Sequence, residues 1–220
     1  MATESTFLFA DLSGFTALTE VHGDEQAADL AGEFSAAVRE LLPDHSAEEV
    51  KSIGDALMVR CEVAEHAVRL GLRIVYDVGE RHGFPIIRVG MHTGPAVERD
   101  GDWFGAAVNL AARVSGVASG DEVLCTEATR EAAGRMDDVE LIEHGRQELR
   151  NIAEPVMIYR ALCEIARTAE GLPIDPVCRM AVDPDHAAGT LVHRGVQYRF
   201  CSLECVRAFA ESPERYASEQ

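Results

Sequence analysis

Apolar residues along this chain follow two rhythms, one suited to strands and one to helices. Thr6–Ala10 is a short apolar run rich in Phe, the pattern of a buried strand. A polar turn follows at Asp11-Leu-Ser-Gly14. Leu18, Ala28, Leu30, Ala31, Phe34, Val38 and Leu41 then mark one long helical segment to about Leu42, and Pro43 ends it. Glu48–Ile53 and Ala56–Cys61 read as two strands joined tightly at Gly54-Asp55, a hairpin. A second helix is predicted from about Ala64 to Arg81, with Ala67, Leu70, Ile74 and Val78 on one face, before Gly83 and Pro85 break the chain. Ile86–Met91 reads as a strand, Thr93-Gly94-Pro95 as a turn and Ala106–Ser115 as a third helix. Val123–Cys125, Val139–Ile142 and Val156–Leu162 read as further strands, with a short helix between the first two.

The order β-α-β-β-α-β predicts an α+β, ferredoxin-like sheet covered by helices on one face. Residues 1–164 form the first domain in this reading. Residues 165–173 read as a polar linker, and 174–220 as a small cysteine-rich module.

Composition narrows the partners. A net charge of −18 repels nucleic acid and anionic lipid, so no nucleic-acid polymer is expected. A small polyphosphate remains compatible, because it arrives with divalent cations. No apolar run of about 18 residues exists, so no membrane span is expected. The start Met-Ala-Thr-Glu-Ser-Thr lacks the basic and apolar regions of a signal peptide. The expected compartment is the cytoplasm, where the six cysteines would not form a disulfide framework. Cys61, Cys125 and Cys163 fall on predicted strands and read as core residues.

Two carboxylates stand at strand ends. Asp11 closes the first strand and Asp55 sits at the hairpin tip. Paired carboxylates are hard oxygen ligands for Mg²⁺ or Mn²⁺, which usually accompany phosphates. The turn Asp11–Thr16 leads into a helix, so the free N–H groups around Gly14, Phe15 and Thr16 suit a polyphosphate. Taken singly, each Asp is equally an ordinary helix-cap or turn residue.

Four segments in order, FLFADLSGFT, KSIGDALM, RVGMHTGP and GDWFGAAVNLAAR, resemble the sequence blocks of class III adenylate and guanylate cyclases. The resemblance covers about residues 5–162. It implies that Asp11 and Asp55 hold two divalent cations, and that Lys51 and Asp102 select adenine. It further implies that Asn109 orients the ribose while Arg113 stabilises charge on the α-phosphoryl group. Asn109 and Arg113 are four residues apart and so share one side of a helix. The implied activity is adenylate cyclase, making 3′,5′-cyclic AMP and pyrophosphate from ATP. The resemblance also implies a homodimer, in which the aspartates of one subunit work with Lys51, Asp102, Asn109 and Arg113 of the other. The segment between Pro95 and Asp102 is shorter than in many members, which leaves the dimer geometry open.

At the C-terminus, Cys178, Cys201 and Cys205 are spaced C-x22-C-x3-C. Three thiols in this pattern read either as a shared soft-metal site, of the Zn²⁺ type, or as three buried apolar thiols. Residues 174–217 resemble the YHS domain, related to metal-associated TRASH modules. So small a unit has little core and usually needs a staple, which a metal would supply. Three thiolates leave tetrahedral Zn²⁺ one ligand short, and His193, His186, a water or a partner group are the candidates. Two rival functions stand beside the cyclase reading. One is a non-catalytic nucleotide-binding or regulatory module; the other is a guanylate cyclase. In either, the C-terminal module would sense metal or redox state.

Overall fold

A computed structural model describes residues 2–79, 84–163 and 172–217. Among them, eight strands form one sheet, in the order β2 (Ala47–Ile53), β3 (Ala56–Cys61), β1 (Thr3–Leu12), β4 (Ile87–Arg99), β6 (Val123–Thr126), β8 (Val156–Cys163) and β7 (Val139–Gln147). β5 (Asp102–Phe104) pairs with the far end of β4. The pairings are antiparallel except β4 with β6. The sheet and its helices give the expected α+β class.

β1 is central and apolar at successive positions because both its faces are covered. Leu8, Ala10 and Leu12 pack with residues of α2 (Asp24–Leu41) and α3 (Ala64–Arg73). Phe7 and Phe9 face the other way, onto Ala107, Val108 and Ala111 of α4 (Ala106–Val117). The expectation of helices on one face is therefore corrected. α4 covers the second face, and the unbroken run Phe7-Leu8-Phe9-Ala10 is the reason.

Three local expectations also change. The single long helix is two, α1 (Phe15–His22) and α2, separated at Gly23, whose φ of 87° no helix accommodates. The turn expected at Thr93-Gly94-Pro95 is continuous strand. β6 pairs only with Val89–Met91, so Pro95 lies beyond it, where a missing N–H leaves no ladder bond unmade on that side. After Arg73 the expected helix passes into a π-turn, Ile74–Val78, and its predicted end at Arg81 lies outside the described residues. The helix between β6 and β7 is α5 (Glu127–Ala133). Most of the expected linker 165–173 also lies outside the described residues.

The C-terminal unit is a hairpin, β9 (Gly189–His193) and β10 (Val196–Phe200), followed by α6 (Leu203–Glu211) and α7 (Pro213–Tyr216). Its core does not close on itself. Val177, Cys178, Met180, Phe200, Cys205 and Phe209 pack with Leu18 of α1 and with Ala27 and Leu30 of α2. Backbone bonds add to this contact. Ile86 N–H donates to Arg179 C=O at 3.1 Å, and Ala181 N–H donates to Phe84 C=O at 2.8 Å.

Candidate functional site

Asp11 and Asp55 come together because β1 and β3 are neighbours and Asp55 caps the turn feeding β3. Half-burial and the nearby Asp11 charge push the Asp55 carboxyl up to about 6. Asp11 is held by Arg88 of β4, whose Nε donates to Asp11 Oδ2 at 2.7 Å while a second guanidinium nitrogen donates to the same oxygen. Two half-buried carboxylates facing each other form an anionic point, and hard oxygen donors of this kind fit Mg²⁺ or Mn²⁺.

Gly14, at φ 84°, turns the chain from β1 into α1. Leu18 N–H is the first to reach back, to Gly14 C=O at 3.0 Å. The N–H groups of Phe15 and Thr16 are therefore left over at the helix start. Thr16 is exposed, whereas the Phe15 ring packs against the core. Gly14 has a second duty. A Cβ there would meet Arg179 Cγ at 2.5 Å, so the cysteine-rich unit lies directly on this loop.

Lys51 of β2 and Asp102 of β5 meet at 2.5 Å, Nζ to Oδ2. The lysine ammonium holds Asp102 below the usual carboxylate range. The exposed Phe104 ring lies 5.8 Å from Lys51 Nζ. Asn109 and Arg113 are both exposed on α4, opposite its buried Ala107, Ala111 and Val114. Among the described residues no hydrogen bond or ion pair joins these four to Asp11 or Asp55. By their bonding the six polar residues thus fall into two sets, Asp11 with Asp55, and the Lys51–Asp102 pair with the exposed α4 residues that make no bond to the aspartates.

The cysteines converge. Cys201 Sγ lies 3.4 Å from Cys178 Sγ and 3.8 Å from Cys205 Sγ. None is in a disulfide. The buried Asp175 braces the arrangement, with Oδ1 accepting from Val177 N–H and Oδ2 from Cys201 N–H, each at 2.8 Å. Among the described residues, the histidine beside the three thiols is neither His193 nor His186. His186 Nδ1 pairs with Asp183 at 2.7 Å, and His193 sits edge-on to Phe209 beside Glu214. Instead His22, the last residue of α1, places Nε2 3.7 Å from Cys201 Sγ and 3.6 Å from Cys205 Sγ. The donor atoms of His22, Cys178, Cys201 and Cys205 all lie within 4.8 Å of one another.

The family model described as the adenylate and guanylate cyclase catalytic domain matches residues 2–160. The chain belongs to this cyclase family. A YHS domain model matches residues 174–220. Among relatives, the pH-sensitive adenylate cyclase of Mycobacterium tuberculosis is 37% identical over 173 residues, covering 77% of this chain and 43% of that protein. An adenylate cyclase of Streptomyces griseus is 34% identical, covering 62% of this chain and 32% of that protein. The chain thus spans less than half the length of these relatives. Of solved structures, the adenylyl cyclase CyaB of P. aeruginosa has a TM-score of 0.63 at 23% identity, over 74% of this chain and 96% of that one. The guanylate cyclase domain of RhGC from Catenaria anguillulae, solved with GTP, reaches 0.65 at 16% identity, over 73% and 96%. Adenine and guanine cyclases share this fold, so the fold leaves the base undecided.

Of the positions named from sequence, the fold brings Asp11 beside Asp55 and Lys51 beside Asp102, leaves Asn109 and Arg113 exposed on α4, and turns the Phe15 side chain to the core. Sequence reasoning missed Arg88, His22 and Arg179. Arg88 could have been found, since it opens the block RVGMHTGP one strand away from Asp11. His22 carries no spacing signal, standing 179 and 183 residues from Cys201 and Cys205.

Proposed function

We propose that this chain is an adenylate cyclase that works as a homodimer, converting ATP to 3′,5′-cyclic AMP and pyrophosphate. The observation that carries the choice of base is the contact between Lys51 and Asp102. Side by side, the ammonium donates to adenine N1 and the carboxylate accepts from the N6 amino group. Guanine offers a carbonyl and a protonated N1 there, and would leave polar groups unpaired. Asn109 orients the ribose, and Arg113 donates to the α-phosphoryl oxygens as charge builds on them. The ribose 3′-oxygen bonds to the α-phosphorus as the bond to pyrophosphate breaks, and the hydroxyl proton leaves to water. Asp11 and Asp55 would hold Mg²⁺ or Mn²⁺, two per site, which when bound make the 3′-hydroxyl more acidic and offset phosphate charge.

Two features support the dimer. The polar groups fall into two sets, and the elements bearing Lys51, Asp102, Asn109 and Arg113 also expose Ile53, Phe104 and Val117. A second copy covering that face would bring its aspartates to these residues and bury the apolar ones. The catalytic domain in this reading is 1–164 and the YHS module 174–220. The module's three free thiols suit a soft ion such as Zn²⁺ and a reducing compartment, the cytoplasm. No helix among the described residues is long and apolar enough to cross a membrane.

The test is turnover of ATP and GTP side by side with Mn²⁺. A kcat/KM for ATP at least about tenfold above that for GTP is expected. Equal use, or preference for GTP, overturns the base assignment, and no turnover of either overturns the enzymatic reading.

A further inference from the structure

Four separations within the cysteine–histidine cluster have the size of the edges of a metal tetrahedron. Zn–S bonds of about 2.3 Å and a Zn–N bond of about 2.0 Å, at tetrahedral angles, require S···S near about 3.8 Å and S···N near about 3.5 Å. The observed edges are 3.4 and 3.8 Å for sulfur to sulfur and 3.6 and 3.7 Å for sulfur to nitrogen. Three of the donors belong to the YHS module. The fourth belongs to the helix that follows Asp11.

We propose that His22 of the catalytic domain completes, with Cys178, Cys201 and Cys205, a four-ligand Zn²⁺ site that clamps the YHS module onto the β1–α1 segment. The consequence lies in α1 itself. At its C-terminal end, His22 would be bonded to the ion. At its N-terminal end, Gly14 lies under Arg179, the residue next to the ligand Cys178. Arg179 C=O also takes the N–H of Ile86, and Ile86 C=O takes the N–H of Ser13 at 2.7 Å. An occupied site therefore fixes both ends of an eight-residue helix and the turn that follows Asp11. Without His22 the module would rest on apolar contacts, the backbone bonds and the exposed pair Arg215–Glu20, at 3.2 Å. Surface pairs of that kind hold little. A Cys₃His set with no open position suits a structural ion rather than a catalytic one.

The test uses the full chain and needs no nucleotide turnover, so its outcome is independent of the cyclase assignment. Zn²⁺ is titrated in competition with a chelator, and Co²⁺ serves as a spectroscopic probe. The wild-type chain is expected to bind one ion, with the absorption of tetrahedral Co²⁺ bound by three thiolates. His22→Ala should weaken Zn²⁺ by more than about a hundredfold, exceeding the loss from an outer-shell change, and should shift the Co²⁺ bands. His22→Cys should restore tight binding with a four-thiolate spectrum, which separates loss of a ligand from misfolding. Zn²⁺ should slow amide exchange across residues 13–22 in wild type and leave His22→Ala unaffected. Unchanged affinity and spectrum in His22→Ala would overturn the ligand assignment. Exchange across 13–22 that ignores Zn²⁺ would overturn the clamp.

Discussion

At the cysteine cluster one copy of the chain brings four soft donors to one point, whereas at the nucleotide site the same copy leaves its polar residues in two sets. The first is walled by α1, α6 and the turn of Asp175, with Cys178 and Cys205 buried and His22 and Cys201 half-buried. The second is open, its Lys51–Asp102 pair and its α4 residues reaching solvent beside exposed Ile53 and Phe104. The contrast follows from what each must hold. An ion that stays can be enclosed by residues from one chain. A substrate that enters and leaves needs an open face, here one we expect a second copy to share. Even the neighbours of the key groups differ. Asp11 already has a cation, Arg88, so a divalent ion must compete for it, while the cluster's donors have one another.

This contrast can be broken in several ways, the largest effect first. Asp11→Ala should lower kcat at saturating ATP and Mn²⁺ by at least about a thousandfold, with Zn²⁺ binding at the cluster intact; metal titration beside the assay checks both. Cys205→Ser should do the reverse. Zn²⁺ at about a thousand times its Kd should stabilise wild type by about 4 kcal/mol in thermal unfolding, and this variant hardly at all. Gly14→Ala joins the two regions. Its φ of 84° and the approach of Arg179 should together cost about 1–2 kcal/mol, and Arg179→Gly should relieve part of it. The smallest effect comes from the shared scaffold. Burial pushes His92 from the ordinary 6.5 down to about 4. The unfolded chain therefore takes up its proton first, and stability falls as pH drops through that window, by roughly 2–3 kcal/mol. In denaturant melts at pH 7 and pH 4, His92→Gln should flatten that part of the loss.

How much of this was legible depends on range. The runs Phe7–Ala10 and Ala56–Cys61 and the period of α4 marked strands and helix correctly, because local burial decides them. Gly23 was missed since Asp24 and the apolar period resume at once, so the break is visible only through its positive φ. Pro95 looked like a turn, yet it sits in β4 because the neighbouring strand β6 is short, a property of the sheet and not of the residue. The polar positions proposed for the nucleotide were legible as candidates because each lies in a local sequence block, Asp11 and Asp55 at strand ends and Asn109 and Arg113 one turn apart on α4. His22 was not, because nothing in α1 refers to a module more than 150 residues away, and only the packing of Leu18 against Cys178 and Phe209 brings them together.

The claim on which the enzymatic reading turns is that the two polar sets meet only between copies. Asp11→Ala and Arg113→Ala chains, each inactive, can be mixed in equal amounts and assayed for cyclic AMP. Random pairing gives half mixed dimers with one intact site of two, so about a quarter of wild-type specific activity should return. Activity that stays at the level of the separate variants would contradict a site shared between subunits.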